Sequence, residues 1–158
     1  GIRDQPRSRG LGDVYKRQGL SMGGGGTFIY ALRHPDMFSS ACPLSGNMGK
    51  LSYNEFYESN EEKLKKYRRE KVFNYYSNHN ALSIIQNQTD ENLKSVRWYI
   101  DCGDNDFLYE GNSLVHIALK KRGVPHEYRV RDGAHNWTYW RSALPEVLSF
   151  VSDRFHQK

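Results

Sequence analysis

The sequence predicts an α/β fold, a mostly parallel sheet with flanking helices. Short apolar runs of strand length end in Gly, Asn or Asp, stretches of helical pattern alternate with them, and the polar residues that carry chemistry cluster just after the apolar runs. With 158 residues, 37% of them hydrophobic, the chain supports one core and is too short for two ordinary domains.

The elements follow in order. Ser21 to Leu32 opens with glycines, continues Thr27-Phe-Ile-Tyr-Ala-Leu32 and stops before His34-Pro35, which predicts a helix with a glycine-lined start. Phe38 to Leu44 is an apolar run closed by Ser45-Gly46-Asn47, a buried strand emptying into a loop. Tyr53 to Tyr76 turns to Glu, Lys, Arg, Asn and Tyr. It reads either as a solvated helix with charge pairs or as an inserted segment over a site. Ala81 to Ile85 predicts a short apolar turn of helix, and Asn87 to Asn92 a polar loop. Val96 to Ile100 is β-branched and aromatic and runs into Asp101-Cys-Gly-Asp-Asn-Asp106, read as a cluster of turn formers. Ser113 to Arg122 predicts a helix capped by Gly123, and His126 to Val130 a strand that leads into Asp132-Gly-Ala-His135. Thr138 to Phe155 is helical by pattern, with Pro145 expected to break or restart it.

Residues 1–18 stand apart. They lack periodic apolar pattern, are rich in Arg, Gly and Pro, and end in Asp13-Val-Tyr-Lys-Arg-Gln18, which resembles the in-frame translation of a transposon end used as a sequencing adapter. A non-native, disordered leader is expected over 1–18 and a partial domain over 19–158. The leader holds five basic residues and two acidic ones, so the net charge of +5 falls to +2 without it. That balance gives no reason to expect nucleic acid or a membrane surface as partner, and no run of about 18 apolar residues suits a spanning helix. Cys42 and Cys102 both lie in apolar runs and read as buried thiols.

Gly19-Leu-Ser21-Met-Gly23 fits G-x-S-x-G, the turn that holds a nucleophilic serine exposed between a strand and a helix. Glycine is expected at both flanks because a side chain there would strike the strand or helix. The helix start after Ser21 places the amide of Met22 where a developing oxyanion would sit. The chain order Ser, acid loop, His is that of serine hydrolases on this type of sheet. Other glycine-loop chemistry fails on spacing: no G-x-x-x-x-G-K-[ST] occurs, and G-x-G-x-x-G would need glycine at Phe28 or Ile29. No His or Cys pairs stand at metal-ligand spacing, so neither a metal nor another cofactor is expected.

Gly19-Leu-Ser-Met-Gly-Gly24, Cys102-Gly-Asp-Asn-Asp-Phe-Leu108 and Gly133-Ala-His-Asn-Trp-Thr-Tyr-Trp140 together resemble the esterase D family of α/β-hydrolases, which includes feruloyl, acetylxylan and tributyrin-type esterases, S-formylglutathione hydrolases and mycolyltransferases. The resemblance runs from Gly19 to about Phe155. It implies that the chain is the C-terminal part of an α/β-hydrolase, beginning at the nucleophile elbow and carrying an exposed strand edge, with Ser21 as nucleophile, Asp106 as the acid and His135 as general base. It implies a serine esterase acting through an acyl-enzyme on a small-molecule or glycan-linked ester. An acyltransferase using the same residues, and an inert hydrolase-like binding module, stand as the alternatives.

Asp101 and Asp104 compete with Asp106 for the acid, although turn or capping duty would also explain them. His34, His79, His116 and His126 read as exposed or structural, whereas His135 alone lies in a glycine-flanked loop after a strand. Trp137, with Tyr139 and Trp140, either packs the last helix against the sheet or lines a cleft beside His135; Trp137 is the substrate-binding candidate.

Overall fold

The computed structural model describes residues 15–49 and 52–153. Four parallel strands lie in the order β1 (Tyr15–Leu20), β2 (Phe38–Leu44), β3 (Arg97–Gly103) and β4 (His126–Arg131). Parallel neighbours cannot be joined by hairpins, so each connection crosses over through helix. The crossovers are α1 (Met22–Arg33), then α2 (Tyr53–Glu58), α3 (Glu61–Leu64), α4 (Arg69–His79), α5 (Ala81–Asn87) and α6 (Asp90–Ser95) in series, then α7 (Tyr109–Lys121). The chain continues from β4 into α8 (Trp137–Ser152).

Strand alternation divides the core into two layers. Ala41, Trp98 and Ile100 face one way, against Phe28 and Leu32 of α1, Ile85 of α5 and Val115 and Leu119 of α7. Cys42, Leu44 and Tyr99 face the other way, against Tyr139, Trp140, Ala143, Val147 and Phe150 of α8. Both cysteines are buried free thiols, pushed up to about 12 chiefly by burial.

Four expectations need correction. Tyr15–Gln18, assigned to the leader, form most of β1, while residues 1–14 lie outside the described region. Composition misleads there because parallel pairing is made by the backbone, and β1 needs little apolar surface: its residues are exposed or half-buried and none is fully buried. The stretch Asn87–Asn92 contains the start of α6, since the Thr89 hydroxyl accepts from the Asn92 amide and caps a helix that composition alone did not suggest. Asp101 belongs to β3 and not to a turn, because the strand runs on to Gly103 in register with Arg131. Pro145 lies inside a continuous α8, on its exposed side, where water can satisfy the carbonyl one turn back.

Candidate active site

The site lies where β1, β3 and β4 end. Ser21 joins β1 to α1 with φ 54° and ψ −121°, a left-handed conformation that a non-glycine residue adopts only where its surroundings enforce it. Its amide donates to Leu44 O at 2.9 Å, and its carbonyl accepts from Gly25 N at 3.0 Å and Asn47 N at 3.3 Å, so strand, helix and the loop after β2 all hold the turn. A Cβ at Gly19 would lie 2.4 Å from Gly23 O, and one at Gly25 2.4 Å from Asn47 O. At Gly23, by contrast, a Cβ would meet nothing within 4 Å among the described residues. The expected symmetry of the two flanking glycines is therefore corrected: Gly19 faces the helix backbone, while Gly23 faces outward. Met22 begins α1, so its amide is among the first helical amides, which lack an intrahelical acceptor, and its side chain is exposed.

Asp106 sits just beyond β3, almost wholly buried. Its Oδ1 accepts from Leu108 N at 2.8 Å, and its carboxylate meets His135 Nδ1 at 2.8 and 3.0 Å. On the far side of the ring, His135 Nε2 lies 2.8 Å from Ser21 Oγ. A carboxylate can only accept, so Nδ1 carries the proton and Nε2 is free to accept the serine hydroxyl. The structure thus brings Ser21, His135 and Asp106 into one hydrogen-bonded chain.

Asp104 and Asp101 do not reach His135 by any described hydrogen bond. Asp104 Oδ1 accepts from Gly133 N at 3.0 Å and Asn105 N donates to Gly133 O at 3.0 Å, which tie the acid loop to the histidine loop. Asp101 is buried and paired with Arg131. Among the described residues the other histidines lie elsewhere: His34 ends α1, His79 ends α4 with Nδ1 on Tyr75 O, and His116 and His126 bond each other at 2.8 Å.

Phe107 covers one side of the His135 ring at 4.5 Å between centroids, and Trp140 stands edge-on to it at 4.9 Å. Sequence reasoning passed over Phe107, although its place directly after Asp106 was the available signal. Phe107, Asn47, Met48 and Gly49 line a depression of about 130 Å³. Asn47 and Gly49 also line a neighbouring cleft of about 320 Å³ with Phe56, Tyr75, Tyr76, His79 and Asn80. The α2–α4 segment therefore borders the loop that holds Ser21. Trp137 is exposed, packs edge-on against Trp140 at 5.3 Å, and lines a separate groove of about 270 Å³ with Leu20, Leu44 and Leu144.

A parallel sheet that presents a serine elbow, an acid loop and a histidine loop in that chain order, all at strand ends, defines an α/β-hydrolase. Comparison with known proteins narrows the class. The Esterase family profile matches residues 14–151, and the chain belongs to that family. It is similar to an acetyl esterase of Caldicellulosiruptor saccharolyticus, 25% identical over 85% of this chain and 53% of the relative. Among solved structures it is similar to a ferulic acid esterase (37% identity, TM-score 0.66, 85% of this chain and 48% of the other). It is also similar to an S-formylglutathione hydrolase from Staphylococcus aureus (26% identity, TM-score 0.65, 87% and 51%). The chain spans about half the length of these relatives.

Proposed function

We propose that the protein is a serine carboxylic-ester hydrolase that works through an acyl-enzyme on short-chain acyl or polysaccharide-linked feruloyl or acetyl esters. The observation that carries this reading is the continuous hydrogen-bonded chain from Ser21 Oγ through His135 to the buried Asp106 carboxylate. As Ser21 attacks the ester carbonyl, His135 Nε2 takes its proton, and Asp106 stabilises the imidazolium that forms. The Met22 amide stabilises the charge gathering on the carbonyl oxygen. His135 then gives the proton to the leaving alkoxide, and water repeats the cycle on the acyl-enzyme. The larger substrate group lies in the clefts beside Asn47 and Phe107, or against Trp137. The names of the ferulic acid and acetyl esterase relatives support the substrate class.

The second oxyanion donor of this fold comes from a loop that precedes the nucleophile in sequence. The test is p-nitrophenyl acetate and butyrate hydrolysis by the full-length protein. Ser21→Ala, Asp106→Ala and His135→Ala should each lower kcat by roughly a thousandfold or more with the fold intact. Folded protein that is inert towards both esters and towards a fluorophosphonate probe would exclude the reading.

A further inference from the structure

Asp101 is a wholly buried carboxylate whose described hydrogen bonds go to Tyr99, Arg131 and Tyr139 and not to Ser21, Asp106 or His135. An anion in that position is costly unless its oxygens are fully used. Its Oδ2 meets Arg131 Nη2 at 2.5 Å and accepts from Tyr99 OH at 3.2 Å, while Oδ1 accepts from Tyr139 OH at 2.5 Å. Glu146 shares both Arg131 and Tyr99, each at 3.2 Å. Burial pushes the Asp101 carboxyl up, and the Tyr139 hydrogen bond and Arg131 oppose that push.

Tyr139 is what connects this cluster to the histidine. The Asn136 side chain caps α8 by accepting from Tyr139 N at 3.0 Å, one residue beyond His135. Gly133, two residues before His135, lies so flat on the Tyr139 ring that a Cβ would come within 2.3 Å of Cδ2. The next residue, Trp140, stands edge-on to the His135 ring and donates from Nε1 to Ser45 Oγ at 2.9 Å. Ser45 N in turn donates to Asp101 O at 2.7 Å. The first turn of α8 is therefore pinned to Asp101 from two sides, and the loop carrying His135 rests on that turn.

We propose that Asp101 is a positioning residue for His135, acting through the Tyr139 hydroxyl to fix the height of the histidine loop between Asp106 and Ser21. The proposal rests on the hydrolase reading above for its kinetic consequence and on geometry alone for its structural one. Tyr139→Phe removes the hydroxyl and keeps the ring under Gly133. Val147→Ala opens a cavity in the same helix away from the hydroxyl and serves as the control for lost stability.

The measurements use the full-length protein. They are the low-field proton signal of the His135–Asp106 hydrogen bond, and kcat and KM per site titrated with a fluorophosphonate. In Tyr139→Phe the signal should shift or broaden and kcat should fall roughly tenfold to a hundredfold with KM unchanged, as expected for a misplaced base. Val147→Ala should lower the melting temperature and leave both readouts as in the wild type. A wild-type signal and kcat in Tyr139→Phe would overturn the proposal, as would equal effects in the two variants. If the wild type hydrolyses no ester, the esterase reading falls, and the proton signal still decides whether Tyr139 positions His135.

Discussion

Beneath Ser21, Asp106 and His135 lie Cys42, Tyr99, Tyr139 and Trp140, almost sealed from water, whereas α2 and α3 bury no residue and α4 buries only Val72. The polar contacts of the two regions differ in the same way. Around the site they join residues far apart in sequence, such as His135 with Ser21, Trp140 with Ser45 and Tyr139 with Asp101. In the excursion most are local, as in the capping box of Ser52 and Glu55, the pair of Lys65 with Glu62, and Asn78 with Asn74. Its aromatic rings mainly pack on one another, Tyr53 against Phe73 and Tyr76, and Phe56 against Tyr76. The chain thus fixes Ser21, Asp106 and His135 with dense long-range packing, and leaves the neighbouring cleft wall to a segment that can shift at low cost.

Mutational effects should accordingly decline from sheet to excursion. Trp98→Ala, in the buried layer shared by β3 and α1, should destabilise by about 3–5 kcal/mol in chemical denaturation. A smaller effect, about 1–3 kcal/mol by pH 10, should come from alkali acting on the two buried thiols. Their folded values are near 12 against an ordinary 9.0, so the unfolded chain loses protons first. Stability conferred by the neutral thiols should be complete below pH 9 and decline between pH 9 and 12, and a Cys42→Ala, Cys102→Ala double variant should flatten that limb. Val72→Ala should cost only about 1–2 kcal/mol, because its surroundings can close around the gap. Loss of the Glu62–Lys65 pair, both side chains being exposed, should change the melting free energy by less than about 0.5 kcal/mol. A Val72 variant as damaging as the Trp98 variant would break the contrast.

The same contrast explains what could be read from the sequence. β2, α1 and α7 were legible because apolar periodicity and glycine or proline stops coincide with burial, and β4 because its residues alternate although none is fully buried. β1 was not, since Lys16-Arg-Gln18 carries no apolar pattern and its pairing needs only backbone. The serine elbow could be read from glycine spacing taken together with the acid loop and the histidine loop that follow it in chain order. Asp106 could not be separated from Asp101 and Asp104 without the family resemblance, because all three are the same residue type within six positions; strand length removes only Asp101, and Asp104, also past the strand end, is set apart only by its bond to Gly133 N. Asp101 was misread for that reason: β3 extends two residues past it, which turns an apparent turn former into a buried ion-pair partner.

The backbone angle of Ser21 has a consequence for the protein's evolution. A side chain held at φ 54° costs of order 1–3 kcal/mol that the remaining contacts must cover. Glycine would relax that position and remove the hydroxyl in the same change. Under the proposed role of Ser21, selection for a tighter fold and selection for the hydroxyl therefore pull in opposite directions at this residue.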